Sequence, residues 1–175
     1  MDPDGYMDDT DEDQLKCAAS LAHHGLLGSL PWLSLNYVDL SSIPEKHLVS
    51  LVSRVTRHLT INNVIGCDLV SLLSSLQCEE LGIPEMSLGR EETQALVQAM
   101  EFGVGRVVLF EDVTLDIEAL TEYSGRGECW DLRLSYDRGG RYREEMKTWA
   151  RTRNWKVAKC SSFDVYISPS SSFGH

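Results

Sequence analysis

The sequence predicts an α/β fold: a short right-handed strand-helix solenoid of about five units, closed by a helix at one end and by strands at the other. Three observations predict it. A short apolar-x-apolar stem recurs five times, at intervals of 26, 22, 27 and 24 residues. Apolar residues at helical spacing follow every stem. Alternation of a period-2 segment with a period-3.6 segment means a strand followed by a helix. Repetition at roughly 20–30 residues means stacked units, because one unit cannot bury its own apolar edge.

The elements follow in order. Residues 1–10 are rich in Asp and Gly and are expected to form a disordered acidic tail. Thr10 with Asp13 resembles a capping-box start. Leu15, Ala18, Ala19, Ala22 and Leu26 then recur at helical spacing, so residues 11–28 read as an N-terminal capping helix ended by Gly25 and Gly28. The repeating body spans residues 29–153. Its stems begin at Leu33, Leu59, Leu81, Val108 and Leu132. The first, third and fourth extend to apolar-x-apolar-x-x-apolar-x-Leu. The helical sets are Ile43, Leu48, Leu51, Val52 and Val55; then Leu69, Leu72, Leu73 and Leu76; then Leu88, Ala95, Leu96 and Met100. Ile117, Leu120 and Tyr123 form a fourth set, and Tyr142, Met146, Trp149 and Ala150 a fifth. Two alternating segments in residues 154–167 predict a strand cap over the open edge. Residues 168–175 read as a flexible tail.

The recurring stem resembles the leucine-rich-repeat family in its longer, helix-containing form, as in ribonuclease inhibitor and the C-terminal arrays of nucleotide-binding immune sensors. The resemblance covers about residues 30–153. It implies a protein-binding array, with innate-immune recognition as one setting. The chain departs from the family where Asn or Cys is usual at the sixth position, holding Val38, Val64, Met86 and Val113 instead. The turn after each strand is therefore expected to satisfy its backbone by other means.

Composition narrows the function classes. At 175 residues the chain is one domain in length, with 42% hydrophobic residues, 25% charged residues and a net charge of -11. Seven acids and no base fall in residues 1–13. Residues 126–159 carry ten Lys or Arg against five Asp or Glu. The overall acidity opposes non-specific nucleic-acid binding, while the basic third keeps a local version open. Five Cys without a CxxC pair read as free thiols in a reducing compartment, and no signal peptide or membrane span is visible, so cytoplasmic localisation is the expectation.

The chain holds no GxSxG, GxxxxGK[ST] or HExxH. Gly103-Val-Gly105 precedes a strand rather than a helix and reads as a helix-ending turn. His23 and His24, with Cys17 nearby, fall on different helix faces and read as a solvated helix end. Arg138-Gly-Gly-Arg141-Tyr-Arg143 is a single RGG-like copy and reads first as a turn into a helix. Core is favoured for each of the four Trp. No enzyme, cofactor or metal site is expected.

The expected function is binding of another protein through the strand-lined face. The candidate contacts are Asn36, Tyr37, Asn62, Glu85, Glu111, Asp112 and Arg133. Leu109 and Glu111 are read as pointing out of the fourth strand. The alternative is nucleic-acid binding by Arg138, Arg141, Arg143, Lys147, Arg151 and Arg153. The acidic tail facing this basic helix would also allow salt-sensitive self-association.

Overall fold

The computed structural model describes residues 12–110, 113–121, 132–134, 141–153, 156–159 and 165–168. Thr10, Glu111, Asp112, Arg138 and both tails lie outside them. Helices and strands alternate: α1 (Glu12–His23), β1 (Leu30–Asn36), α2 (Glu45–Val52), β2 (Val55–Asn62), α3 (Leu69–Ser74), β3 (Glu80–Pro84) and α4 (Arg90–Phe102). They continue with β4 (Arg106–Phe110), α5 (Ile117–Thr121), β5 (Leu132–Leu134), α6 (Arg141–Thr152), β6 (Lys156–Lys159) and β7 (Val165–Ser168).

One sheet runs in the order β1-β2-β3-β4-β5-β7-β6. Its first five strands are parallel and lie side by side in chain order. Each helix from α1 to α6 packs on the next, so the helices form a layer in the same order. β7 then runs antiparallel to both β5 and β6. Between the layers lies one apolar core. Leu33, Leu35, Leu59, Ile61, Leu81, Ile83, Val107 and Leu109 supply its sheet side, each at most 1% exposed. Leu48, Leu51, Leu72, Leu73, Leu96 and Met100 supply its helix side. Truncating one such leucine to alanine removes contacts the site cannot fully refill, at a typical cost of about 2–5 kcal/mol.

Local chemistry sets the boundaries. The Asp68 carboxylate accepts from Val70 N at 3.0 Å and from Ser71 Oγ at 2.7 Å, capping α3. The Asp116 carboxylate accepts from Ala119 N at 2.8 Å and starts α5. Thr93 is fully buried on α4, and its hydroxyl accepts from Asp116 N at 3.1 Å, tying one unit to the next. Gly103 caps the other end of α4. A Cβ there would sit 2.1 Å from the Leu76 carbonyl oxygen, so only glycine lets these two chain segments meet. Val55 belongs to β2 rather than to the preceding helix, because α2 ends at Val52 and the turn is tight.

The phase of the fourth unit corrects the sequence reading. Leu81 pairs with Val107 and Ile83 with Leu109, so the stem begins at Val107 and not Val108. Pro84 aligns with Phe110, whereas Ser87 aligns with Thr114. Three steps along the third unit thus match four along the fourth, an insertion of one residue. In the first two units Asn36 aligns with Asn62 and Asp39 with Ile65, three steps in each. The sequence pattern matched Val113 and Leu115 correctly, and the extra residue then displaced the stem by one. Since strand side chains alternate, that displacement exchanges faces. Leu109 is core, at 1% exposure, and Val108 takes the other face.

The turns after β1, β2 and β3 are built from backbone. Tyr37, Asn63 and Glu85 follow their strands with φ of 50°, 46° and 49°, a left-handed residue each time. Beyond them the chains pair again: Ile65 N donates to Val38 O at 3.1 Å, Leu40 N to Ile65 O at 2.9 Å, Thr114 N to Met86 O at 3.0 Å and Leu88 N to Thr114 O at 2.9 Å. Neighbouring turns satisfy one another, which is how the chain manages without Asn at the sixth position.

The free cysteines described are exposed Cys17, half-buried Cys67 and buried Cys78. Burial pushes the Cys78 thiol up to about 11. In the native state iodoacetamide at mild alkaline pH should therefore modify Cys17 and spare Cys78, a difference that peptide mass spectrometry resolves. A raised thiol pKa also means that the fold loses stability as pH climbs above the ordinary thiol value toward about 11.

Candidate functional site

With alternate residues of β1 to β4 committed to the core, the others form the outer face of the sheet, away from the helices. Register aligns them in rows. Trp32 lies beside His58, His58 beside Glu80, and Glu80 beside Arg106. The next row is Ser34, Thr60, Gly82, Val108 and Arg133. Asn36 then lies beside Asn62, and Pro84 beside Phe110.

The first row is a connected chain of contacts. The Trp32 and His58 rings lie 4.8 Å apart, tilted by 34°. His58 Nδ1 lies 3.0 Å from Glu80 Oε1, and Arg106 Nη1 donates to Glu80 Oε2 at 3.1 Å. His58 Nε2 meets Thr60 Oγ1 at 3.1 Å. One carboxylate thus serves a cation on one side and an imidazole on the other, while Thr60 occupies the second ring nitrogen. These side chains are partly exposed, at 24% for His58, 29% for Glu80 and 36% for Arg106. The row presents a polar strip whose members contact one another.

Thr60, His58 and Glu80 share the order of a hydroxyl nucleophile, base and orienting acid. Chemistry of that kind also needs donors aimed at a developing oxyanion. The sheet amides around Thr60 are turned into the parallel ladder with β1 and β3. Glu80, moreover, is shared with Arg106. The arrangement is suited to holding a surface in shape.

Of the residues expected to bind, Asn36 is partly exposed on the face and its amide donates to Ser34 Oγ at 2.5 Å. Tyr37 is 68% exposed, and its hydroxyl donates to Glu85 Oε2 at 2.5 Å, joining the turns of the first and third units across the second. Asn62 lies on the face yet is only 8% exposed, and its Oδ1 has no partner. Arg133 follows in the second row on β5. Glu111 and Asp112 lie outside the described residues, so the expected acidic end of the face rests on sequence alone. Trp32, favoured as core from sequence, is instead half-buried on the outer face. Sequence reading also missed His58, Glu80 and Arg106. A signal was present: each stands immediately before its stem, as Trp32 does.

For the alternative site, Arg141, Arg143, Lys147 and Arg151 fall on α6, with Arg153 just beyond its end. Lys147 pairs with Glu144 one turn away, and Arg151 is exposed. Arg138 lies outside the described residues. A cleft of about 540 Å³ opens beside the same helix, lined by Ile117, Glu144, Glu145, Thr148, Trp149 and Thr152. Among the described residues no group of three or more His, Cys, Asp or Glu is arranged to hold a metal ion, and no helix is long and apolar enough to cross a membrane.

No family model, curated protein or solved structure matches this chain.

Proposed function

We propose that this chain is a non-enzymatic, leucine-rich-repeat-like solenoid that binds a partner protein through the outer face of its sheet, acting as an adaptor, decoy or regulator in the cytoplasm. The observation that carries the reading is the in-register row Trp32, His58, Glu80 and Arg106, with its contacts of 4.8, 3.0 and 3.1 Å. A rigid strip of aromatic, acidic and basic groups offers several polar contacts at little further loss of side-chain entropy. Trp32 at one end and Tyr37 near the turn edge are the natural anchors, since aromatic residues carry much of the energy at protein interfaces. The parallel strands in chain order and the helix layer packed in the same order support the solenoid reading. An innate-immune role rests on the family resemblance alone.

The test places a photo-crosslinking residue at Thr60 in the centre of the face, or at Arg151 on α6, and identifies what each captures in cells. A defined protein captured from Thr60 and absent from Arg151 supports the reading. Nucleic acid captured from Arg151, with nothing from Thr60, would replace it by the basic-helix alternative.

A further inference from the structure

We propose that α1 is a pH-released cap: protonation of a three-histidine cluster at the α1–α2 seam loosens α1 from α2 and uncovers the apolar end of the helix layer. The cluster is not legible as a unit in sequence, because His47 comes from α2 and the other two from the end of α1. In space His23 stacks on His47 with ring centroids 4.4 Å apart and planes 25° apart. His24 stands edge-on to both, at 5.3 Å from His23 and 6.2 Å from His47. Stacked rings do not converge their nitrogens on one point, and they do not form a metal site here. A proton taken by His47 places a positive charge against the His23 ring stacked on it 4.4 Å away.

The groups facing His47 reinforce that response. His23 and His24 act on it from α1 and Lys46 from its own helix, and each would make a further positive charge costlier. Partial desolvation acts in the same direction and is the largest cause, so His47 titrates below the ordinary histidine value. Glu45, the carboxylate next on α2, acts on Cys67 instead. Ser50 Oγ also reaches the cluster, lying 3.5 Å from His23 Nδ1 while donating to Lys46 O at 2.7 Å. A histidine whose folded pKa is lowered supports the fold above the ordinary histidine value, and that support is lost as pH falls through the folded pKa.

The rest of the seam would yield with it. α1 holds to α2 through Leu15, Ala18, Ala19 and Ala22, mostly small side chains with little apolar area to lose. At the far end an exposed hydrogen bond, Ser42 Oγ to Glu12 Oε1 at 2.7 Å, joins the helix to the loop before α2. Release of α1 would uncover the side of α2 on which it packs, at the first helix of the layer.

The test is amide hydrogen exchange of the full chain with chelator present, reading the protection of α1 relative to α4 at about pH 7.5 and about pH 5.5. Wild type should lose α1 protection relative to α4 on acidification, whereas a triple His23→Gln, His24→Gln, His47→Gln variant should lose none. His47→Lys, which keeps a charge at every pH used, should lose more α1 protection than wild type on acidification, as His23 and His24 take protons beside it. A wild-type ratio unchanged by pH, a triple variant that falls as wild type does, or a His47→Lys chain whose α1 protection does not respond to pH would each overturn the proposal.

Discussion

Replacing Gly66 with alanine is expected to destabilise the fold by about 2–4 kcal/mol, read as a shift in the midpoint of urea unfolding. Two effects combine. Gly66 sits at φ +73°, where a Cβ is strained. The same Cβ would lie 2.6 Å from Asp39 Oδ1 and 2.6 Å from Ser41 N. Those two atoms are bonded to each other at 2.9 Å and form the first unit's turn, and that bond holds the Asp39 carboxyl below the usual carboxylate range. Gly25 separates the two effects. Its φ is +72°, but nothing lies within 4 Å of its would-be Cβ. Gly25→Ala should therefore cost only the backbone strain, about 1 kcal/mol. Equal losses at both sites would mean that the close approach of neighbouring turns contributes nothing.

The second large effect concerns Glu80. Glu80→Ala is expected to cost about 2 kcal/mol, because it takes the shared carboxylate from both His58 and Arg106 on a half-buried face. Solvent reaches these groups, which keeps the figure below that of a fully buried pair. A double Glu80→Leu, Arg106→Leu variant should recover most of the loss, since an apolar pair leaves no charge without its partner. A double-mutant cycle measured by urea unfolding decides it. A coupling near zero would show that the row is a set of independent surface side chains, and the rigidity on which the binding proposal depends would be gone.

Much of this fold is legible in the sequence. The stems at Leu33, Leu59, Leu81 and Leu132 fall in strands, and most members of the helical sets fall on α2 to α6, with Ile43, Val55, Leu76 and Leu88 outside them, because burial on one side imposes a period that composition cannot hide. The phase of the fourth unit was lost for a physical reason. One residue was added between Phe110 and Thr114, and the flanking run from Val107 to Phe110 is apolar on both parities, so the pattern alone could not choose a face. The candidate site was legible only in outline. Asn36 and Tyr37 were read from their stems, but the Trp32-His58-Glu80-Arg106 row depends on pairing across four strands. The histidine cluster depends on two helices meeting. Periodicity reports how one segment is buried; it carries nothing about which side chain of another segment arrives beside it.

Partner binding through the sheet is the central claim, and the most direct measurement is the affinity of the protein captured from Thr60 for three purified chains. These are wild type, a Ser34→Arg, Thr60→Arg face variant, and a Lys147→Glu, Arg151→Glu α6 variant. Both face positions are partly exposed and outside the core, so the arginines block the face without opening the interior. Binding weakened at least about tenfold by the face variant alone is the predicted result. Equal binding by wild type and the face variant, with loss only in the α6 variant, would contradict the account and move recognition to the basic helix.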